Sequence, residues 1–175
     1  MKVQHPENGG LVPFVYHPSE DEMRLCRAAA DERDSSARRQ GRKDQHGAPT
    51  DQDRGYRLHL VGVAGELGFA RFQHLDDWTP TVDTFRSMPD VGAFEVRCRS
   101  RHSYDLLIRS GDRSSSRYIL ATCEDLREVW VWGWVWGEEA KQDRFLASHG
   151  GREPAYFIPK AHLEPLDLLP WKGVE

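Results

Sequence analysis

The sequence predicts an α+β domain, with a central, mainly antiparallel or mixed sheet of about five strands flanked by helices. Three observations carry this expectation. Two helix-length stretches fill the first half of the chain, one opened by a serine and three acids, the other marked by an apolar stripe. From residue 82 to residue 136, short runs rich in aromatic and β-branched residues follow one another closely. Polar turns such as Asp112-Arg113-Ser114-Ser115-Ser116 separate these runs, and helices grouped ahead of a sheet favour α+β over alternating α/β.

At 175 residues, the chain fits a single domain over 1–175, able to bury roughly two thirds of its unfolded surface. Residues 1–17 form a Pro- and Gly-punctuated N-terminal arm. Within it, Leu11-Val12-Pro13-Phe14-Val15-Tyr16 is either an edge strand or an arm packed on the body. Ser19 caps a helix that carries Glu20, Asp21 and Glu22 in its first turn and runs to about Arg39. Residues 40–54, with Gly41, Gly47 and Pro49, compose an exposed loop. A second helix is expected from Tyr56 to Leu75, striped by Leu60, Val63, Ala64, Leu67 and Phe72 and weakened by Gly62, Gly65 and Gly68. Glu66 lies on that mainly apolar stripe, with no opposite charge three or four positions away. It requires either a partner from outside the helix or a rim position from which it reaches water.

Strands are expected at Val82–Phe85, Ala93–Ser100, Tyr104–Arg109, Arg117–Cys123 and Val129–Trp136, and a helix at about Glu138–Ser148. One further apolar run, Ala155-Tyr156-Phe157-Ile158, precedes a proline-rich tail over 164–175 that would wrap the surface. In the run from Val129, strict alternation puts Trp130, Trp132, Trp134 and Trp136 on one face of a straight strand. Such a row either stacks unpaired bases or packs beneath the helices or in a homodimer interface.

Composition narrows the function. A net charge of −4 leaves no global basic field of the kind that marks arm-type nucleic-acid binders. Locally the balance reverses: from Arg86 to Arg117, seven arginines meet four acids, and 7 − 4 gives +3. Positive walls of this kind suit a polyanion, and they are also what solvent-facing strands commonly wear. Cys26, Cys98 and Cys123 stand at no metal-ligand spacing, which suits reduced thiols in a cytoplasmic protein. No stretch approaches the roughly 18 apolar residues of a membrane span.

The candidate chemistry lies around residue 95. On the strand Ala93–Ser100, a period of two turns Phe94, Val96 and Cys98 to one face and Glu95, Arg97 and Arg99 to the other. Asp90 precedes it across Val91-Gly92, where glycine permits a bend or bulge that brings Asp90 alongside Glu95. Two neighbouring carboxylates repel each other and a divalent cation relieves that repulsion; magnesium, which takes one or two carboxylates and keeps its waters, suits the pair. A guanidinium stays protonated and cannot act as a general base. Asp105 is expected to pair with Arg99 across an antiparallel turn, and His102 to be a turn residue.

Asp90, Glu95 and Arg97, with Glu66 on the preceding helix, resemble the active-site string of the PD-(D/E)XK, or restriction-endonuclease-like, superfamily. The likeness extends from Glu66 to about Lys141 and is nearest to small bacteriophage and actinobacterial members. It implies a restriction-endonuclease-like fold and metal-dependent hydrolysis of nucleic acid, DNA more than RNA. Glu66, Asp90 and Glu95 would hold magnesium or manganese, and Asp90, Glu95 and Arg97 would be catalytic. Arg99 and Arg101, with Arg42 and Lys43 of the loop, would bind the nucleic-acid backbone. Two departures stand out: four residues rather than ten or more separate the acids, and arginine replaces the usual lysine. These favour the alternative implied by the same likeness, a fold without turnover that binds nucleic acid or a host protein.

Overall fold

Local chemistry sets the first helix. The computed structural model describes residues 10–41, 52–82 and 88–170, and within it α1 spans Glu20–Arg39. Ser19 Oγ accepts from the Glu22 N–H at 3.2 Å while Glu22 Oε2 accepts from the Ser19 N–H at 2.8 Å, a reciprocal capping box. Helix α2, Gln52–Phe72, begins earlier than its apolar stripe suggests. Packing along α1 carries it back through Gly55, where a Cβ would meet Asp34 Oδ1 at 2.7 Å.

The strands are β1 (Phe14–Tyr16), β2 (Phe94–Arg99), β3 (Leu106–Arg109), β4 (Arg117–Thr122), β5 (Val129–Trp136), β6 (Leu146–Ala147) and β7 (Ala155–Ile158), with a one-turn α3 (Gly137–Ala140) after β5. Four form a mixed sheet in the order β1-β5-β4-β2, in which only β2 and β4 run parallel, and β3-β7-β6 form a second, antiparallel sheet. Helices lie on one face of the first sheet: Val61, Ala64, Phe69 and Ala70 of α2 share a core with Val96, Ile119, Ala121, Val131 and Trp134. On the other face, Tyr118, Leu120, Trp132 and Val135 pack with Leu106, Ile108 and Ile158 of the second sheet. Met23, Cys26 and Ala30 of α1 close the outer side of α2 against Leu60, Val63 and Leu67. The class is therefore α+β with a mixed sheet, as the sequence predicts.

Several expectations are corrected. Strand β3 does not pair with β2; its Leu106 and Ile108 are buried with the second sheet, and β2 satisfies β4 instead. Arg99 consequently donates to the main-chain oxygen of Asp105 at 3.1 Å and lies over the Tyr104 ring, rather than pairing with the Asp105 carboxylate. The helix expected over 138–148 stops at Ala140. Lys141 turns away to donate to the carbonyls of Ser110 and Asp112, and buried Phe145 draws the chain into the second-sheet core.

The tryptophans do not share a face. A bulge between Leu120 and Ala121 leaves Trp132 as an extra residue of β5, which reverses the alternation. Trp130 and Trp132 face the second sheet, whereas Trp134 and Trp136 face α2. The tail is drawn in rather than laid over the surface: Glu164 bridges to Trp134, and Leu166 and Leu169 are buried. Val82 is a bend, and the remainder of the strand expected at Val82–Phe85 lies outside the described residues, as do Arg42, Lys43 and residues 171–175. All three cysteines are free thiols, and among the described residues no helix is long and apolar enough to cross a membrane.

Candidate functional site

Strand β2 is the open edge of the first sheet, and the candidate residues gather along it. Val91 and Phe94 exchange both backbone hydrogen bonds, at 3.2 and 3.0 Å, so Gly92-Ala93 is a two-residue hairpin turn. Gly92 takes φ +59°, the positive value that the first central position of such a turn demands. If 91 pairs with 94, then 90 stands opposite 95. The four-residue gap thus places the two acids on either side of the tightest hairpin turn, next to its one bridged pair. Asp90 Oδ2 also accepts the Val96 N–H at 2.8 Å, which covers the strand edge and fixes the carboxylate.

Arg97 shares the face of Glu95 and reaches back over the pair. Its Nη1 lies 3.7 Å from Asp90 Oδ2 and 3.6 Å from Glu95 Oε2, while Nη2 lies 3.4 Å from Asp112 Oδ1. These are ion-pair distances, longer than the roughly 2.7–2.9 Å of a directed guanidinium–carboxylate bond. The guanidinium carbon sits 5.2 Å from the centre of the Tyr118 ring, β4's neighbour to Glu95. Burial pushes the Asp90 carboxyl above its ordinary value against the opposing Val96 N–H and Arg97. Glu95 is raised by burial and by Asp90 opposite. For Arg97, burial acts downward, but Asp112, Asp90 and Glu95 outweigh it and raise the guanidinium further.

Glu66 finds its outside partner in α1. Arg33 Nη1 and Nη2 donate to its two carboxylate oxygens, each at 2.8 Å, and Arg33 Nε donates to Thr81 O at 2.9 Å. Glu66 is 5% exposed, and burial raises its carboxyl despite Arg33. Asp90 and Arg97 both act on it electrostatically. Both of its oxygens are already bonded to Arg33, and neither Asp90 nor Glu95 is among its hydrogen-bond or ion-pair partners. Arg101 is exposed beyond the end of β2, and Arg99 is half-buried against Tyr104.

Among the described residues no three or more His, Cys, Asp or Glu side chains gather as a metal cage would need. Two carboxylates do converge on one point that holds a cation, and magnesium ordinarily takes only one or two protein carboxylates beside water and phosphate. In charge Asp90 and Glu95 suit such an ion, but the point on which they converge is taken by Arg97 Nη1, at 3.7 and 3.6 Å from their nearest oxygens, well beyond the roughly 2.0–2.1 Å of a magnesium–oxygen bond. No family model, curated protein or solved structure matches the chain.

Two residues at this edge carry no sequence signal. Asp112 looks like turn chemistry and is so: its Oδ2 accepts the Arg109 N–H at 2.9 Å. Its second oxygen, aimed at Arg97, appears only when β3 folds back beneath β2. Arg33 is one of many helical arginines, and its partner lies 33 positions away. A groove of about 410 Å³ lined by Leu11, Phe14, Phe72, Trp132 and Leu166 opens at the opposite, β1 side of the sheet. Its lining is mainly apolar and holds none of the candidate residues.

Proposed function

We propose that the protein is a metal-dependent nuclease of the restriction-endonuclease-like kind, with its site on the open edge of β2. One observation carries this reading: Asp90 and Glu95 flank a two-residue turn and both lie within ion-pair distance of one guanidinium nitrogen of Arg97, at 3.7 and 3.6 Å. Asp90 and Glu95 would hold magnesium or manganese there, and Glu66, neutralised by its bidentate pair with Arg33, would tie α2 to α1 behind them. The bound ion would supply an acidified water and a Lewis acid for the phosphodiester. Arg97, permanently charged, would bind the scissile phosphate and stabilise the charge that develops on it. Exposed Arg101 would lie along the backbone approaching this edge, with Arg99 behind it.

The test is cleavage of plasmid or single-stranded oligonucleotide by purified protein with added magnesium or manganese. Cleavage should require the metal and fall on the order of 100-fold or more in Asp90→Asn, the scale of losing one electrostatic stabiliser. Asparagine keeps an oxygen for the Val96 N–H, so the hairpin survives. Absence of cleavage with either metal and substrate would exclude the reading. A second reading, the same fold without turnover binding nucleic acid or a host protein, is favoured by the bidentate Arg33 clamp, which leaves Glu66 without an open oxygen. It predicts a retained mobility shift of nucleic acid, or retained partner binding, in Asp90→Asn.

A further inference from the structure

Arg117 opens β4 and, at 8% exposure, is the most deeply buried arginine among the described residues. Strand β4 lies between β2 and β5, and the register sets Phe94 on one side of Arg117 and Trp136 on the other. The guanidinium carbon stands 4.3 Å from the centre of the Phe94 ring and 5.3 Å from that of the Trp136 ring. With rings on both flanks, what remains is the edge, and the edge carries the N–H donors. One of them reaches the Pro170 carbonyl at a long 3.4 Å. The other buried arginines are differently placed: Arg33 takes Glu66, Arg71 takes Glu22 and Arg97 faces three acids, and in each case the acids raise the guanidinium against burial. At Arg117 burial lowers it, and no carboxylate of a described residue opposes that effect.

A guanidinium cannot shed its proton to escape burial, so its charge calls for an anion. The unused edge is reachable: among the described residues, the only wholly buried side-chain nitrogen or oxygen without a partner is Trp130 Nε1. It opens beside half-buried Trp136 and exposed Pro170. Charge and shape then select the ligand. A single positive charge is cancelled by a single negative one, whereas inorganic phosphate or a phosphomonoester carries close to two at neutral pH. A phosphodiester carries one, but it is tetrahedral, and its ester arms leave the guanidinium plane toward the rings. A carboxylate is flat, continues that plane outward between Phe94 and Trp136, and accepts two parallel N–H bonds. We propose that Arg117, walled by Phe94 and Trp136, is the seat of a carboxylate ligand. Phe94 and Trp136 belong to the core on the α2 side of the first sheet, whereas Arg97 lies over Tyr118 of the other core. The seat is therefore separate from the Asp90–Glu95 edge and independent of the nuclease reading.

The experiment is a titration of the full chain with sodium acetate at neutral pH and constant ionic strength, with chloride making up the balance. It is followed at the Arg117 Nε–H nuclear magnetic resonance signal, assigned by through-bond correlation to the Arg117 backbone. Acetate should move that signal saturably, with half-saturation at a concentration about tenfold below the one inorganic phosphate requires. Saturating acetate should also raise the unfolding midpoint of the wild type by about 2–4 °C. In Arg117→Lys, whose ammonium lacks the planar fork, and in Arg117→Gln, which lacks the charge, that rise should shrink to about 1 °C or less. A tripeptide blocked at both ends, with aspartate as its single carboxylate, separates the sources. Half-saturation about tenfold below that of acetate assigns the carboxylate to a polypeptide and an equal value to a free acid, and either result sustains the seat. Phosphate moving the signal at lower concentration than acetate would overturn the proposal. So would the absence of saturable movement with any of these anions, which would leave Arg117 as a prop for Pro170. Both overturning results are read on the wild type, so a variant that fails to fold leaves the test decisive.

Discussion

An L-residue held near φ +59° costs about 1–2 kcal/mol, and Gly92 holds that angle at the turn that sets Asp90 opposite Glu95. Gly92→Ala should therefore destabilise the protein by about 1–2 kcal/mol, read from urea midpoints. It should also weaken manganese binding, because a relaxed turn no longer keeps 90 and 95 in register. An unchanged metal affinity would show that the hairpin does not align the pair. The role of this glycine is legible in the sequence, which asks for a bend at residue 92. What is not legible is that a two-residue turn brings residues 90 and 95 alongside each other. Asp112 and Arg33 are beyond sequence reasoning for a physical reason: each meets its partner through tertiary packing of separate elements, and neither differs locally from the acids and arginines around it.

At the scale of elements, the glycines of α2 invert their usual meaning. On propensity they weaken the helix, but a Cβ on Gly65 would lie 2.4 Å from Cys98 Cβ, and one on Gly68 would lie 2.6 Å from Val129 Cγ1. The helix is glycine-rich where it presses on the sheet. Gly62 has nothing within 4 Å of such a Cβ. Gly65→Ala should thus cost about 1–3 kcal/mol through overpacking, whereas Gly62→Ala should be neutral or stabilise by up to about 1 kcal/mol. Thermal unfolding of the two variants checks the contrast, and equal effects would refute close packing as its cause. The tryptophan strand shows where periodicity stops being informative. A period of two is exact only while the ladder is regular, and the bulge between Leu120 and Ala121 depends on the neighbouring strand rather than on β5 alone. One sequence row therefore serves two cores.

For the whole molecule, helix and strand positions were largely legible because each is set by local pattern, as with Ser19 opening α1 and the alternation of β2. The division into two sheets was not, since a run such as Leu106–Arg109 is apolar enough for either sheet and only the position of β7 decides. That division places three carboxylates and Arg97 between the edge of one sheet and a turn of the other, and stability should record it. Burial raises both Asp90 and Glu95 in the fold. Between the ordinary values, 3.8 for aspartate and 4.5 for glutamate, and the raised ones, the folded chain binds more protons than the unfolded chain. Their contribution is thus complete below the ordinary values and is lost as pH rises through the folded ones. Glu22 runs oppositely: burial alone would raise it, but the Ser19 and Tyr16 hydrogen bonds and Arg71 hold it low, so its contribution disappears as pH falls through its lowered value. To isolate the site, thermal unfolding of the wild type is compared with Asp90→Asn/Glu95→Gln across pH 7 to 4, without metal. Relative to the variant, the wild type should gain stability on acidification from neutral pH toward 4.5, because its two raised carboxyls take up protons that the amides cannot. Manganese should reverse the trend by binding the ionised pair, stabilising the wild type more at pH 7 than at pH 5. Parallel pH curves for the two proteins would mean that the Asp90–Glu95 pair is solvated like any surface carboxylates, and the common cation seat would lose its electrostatic basis.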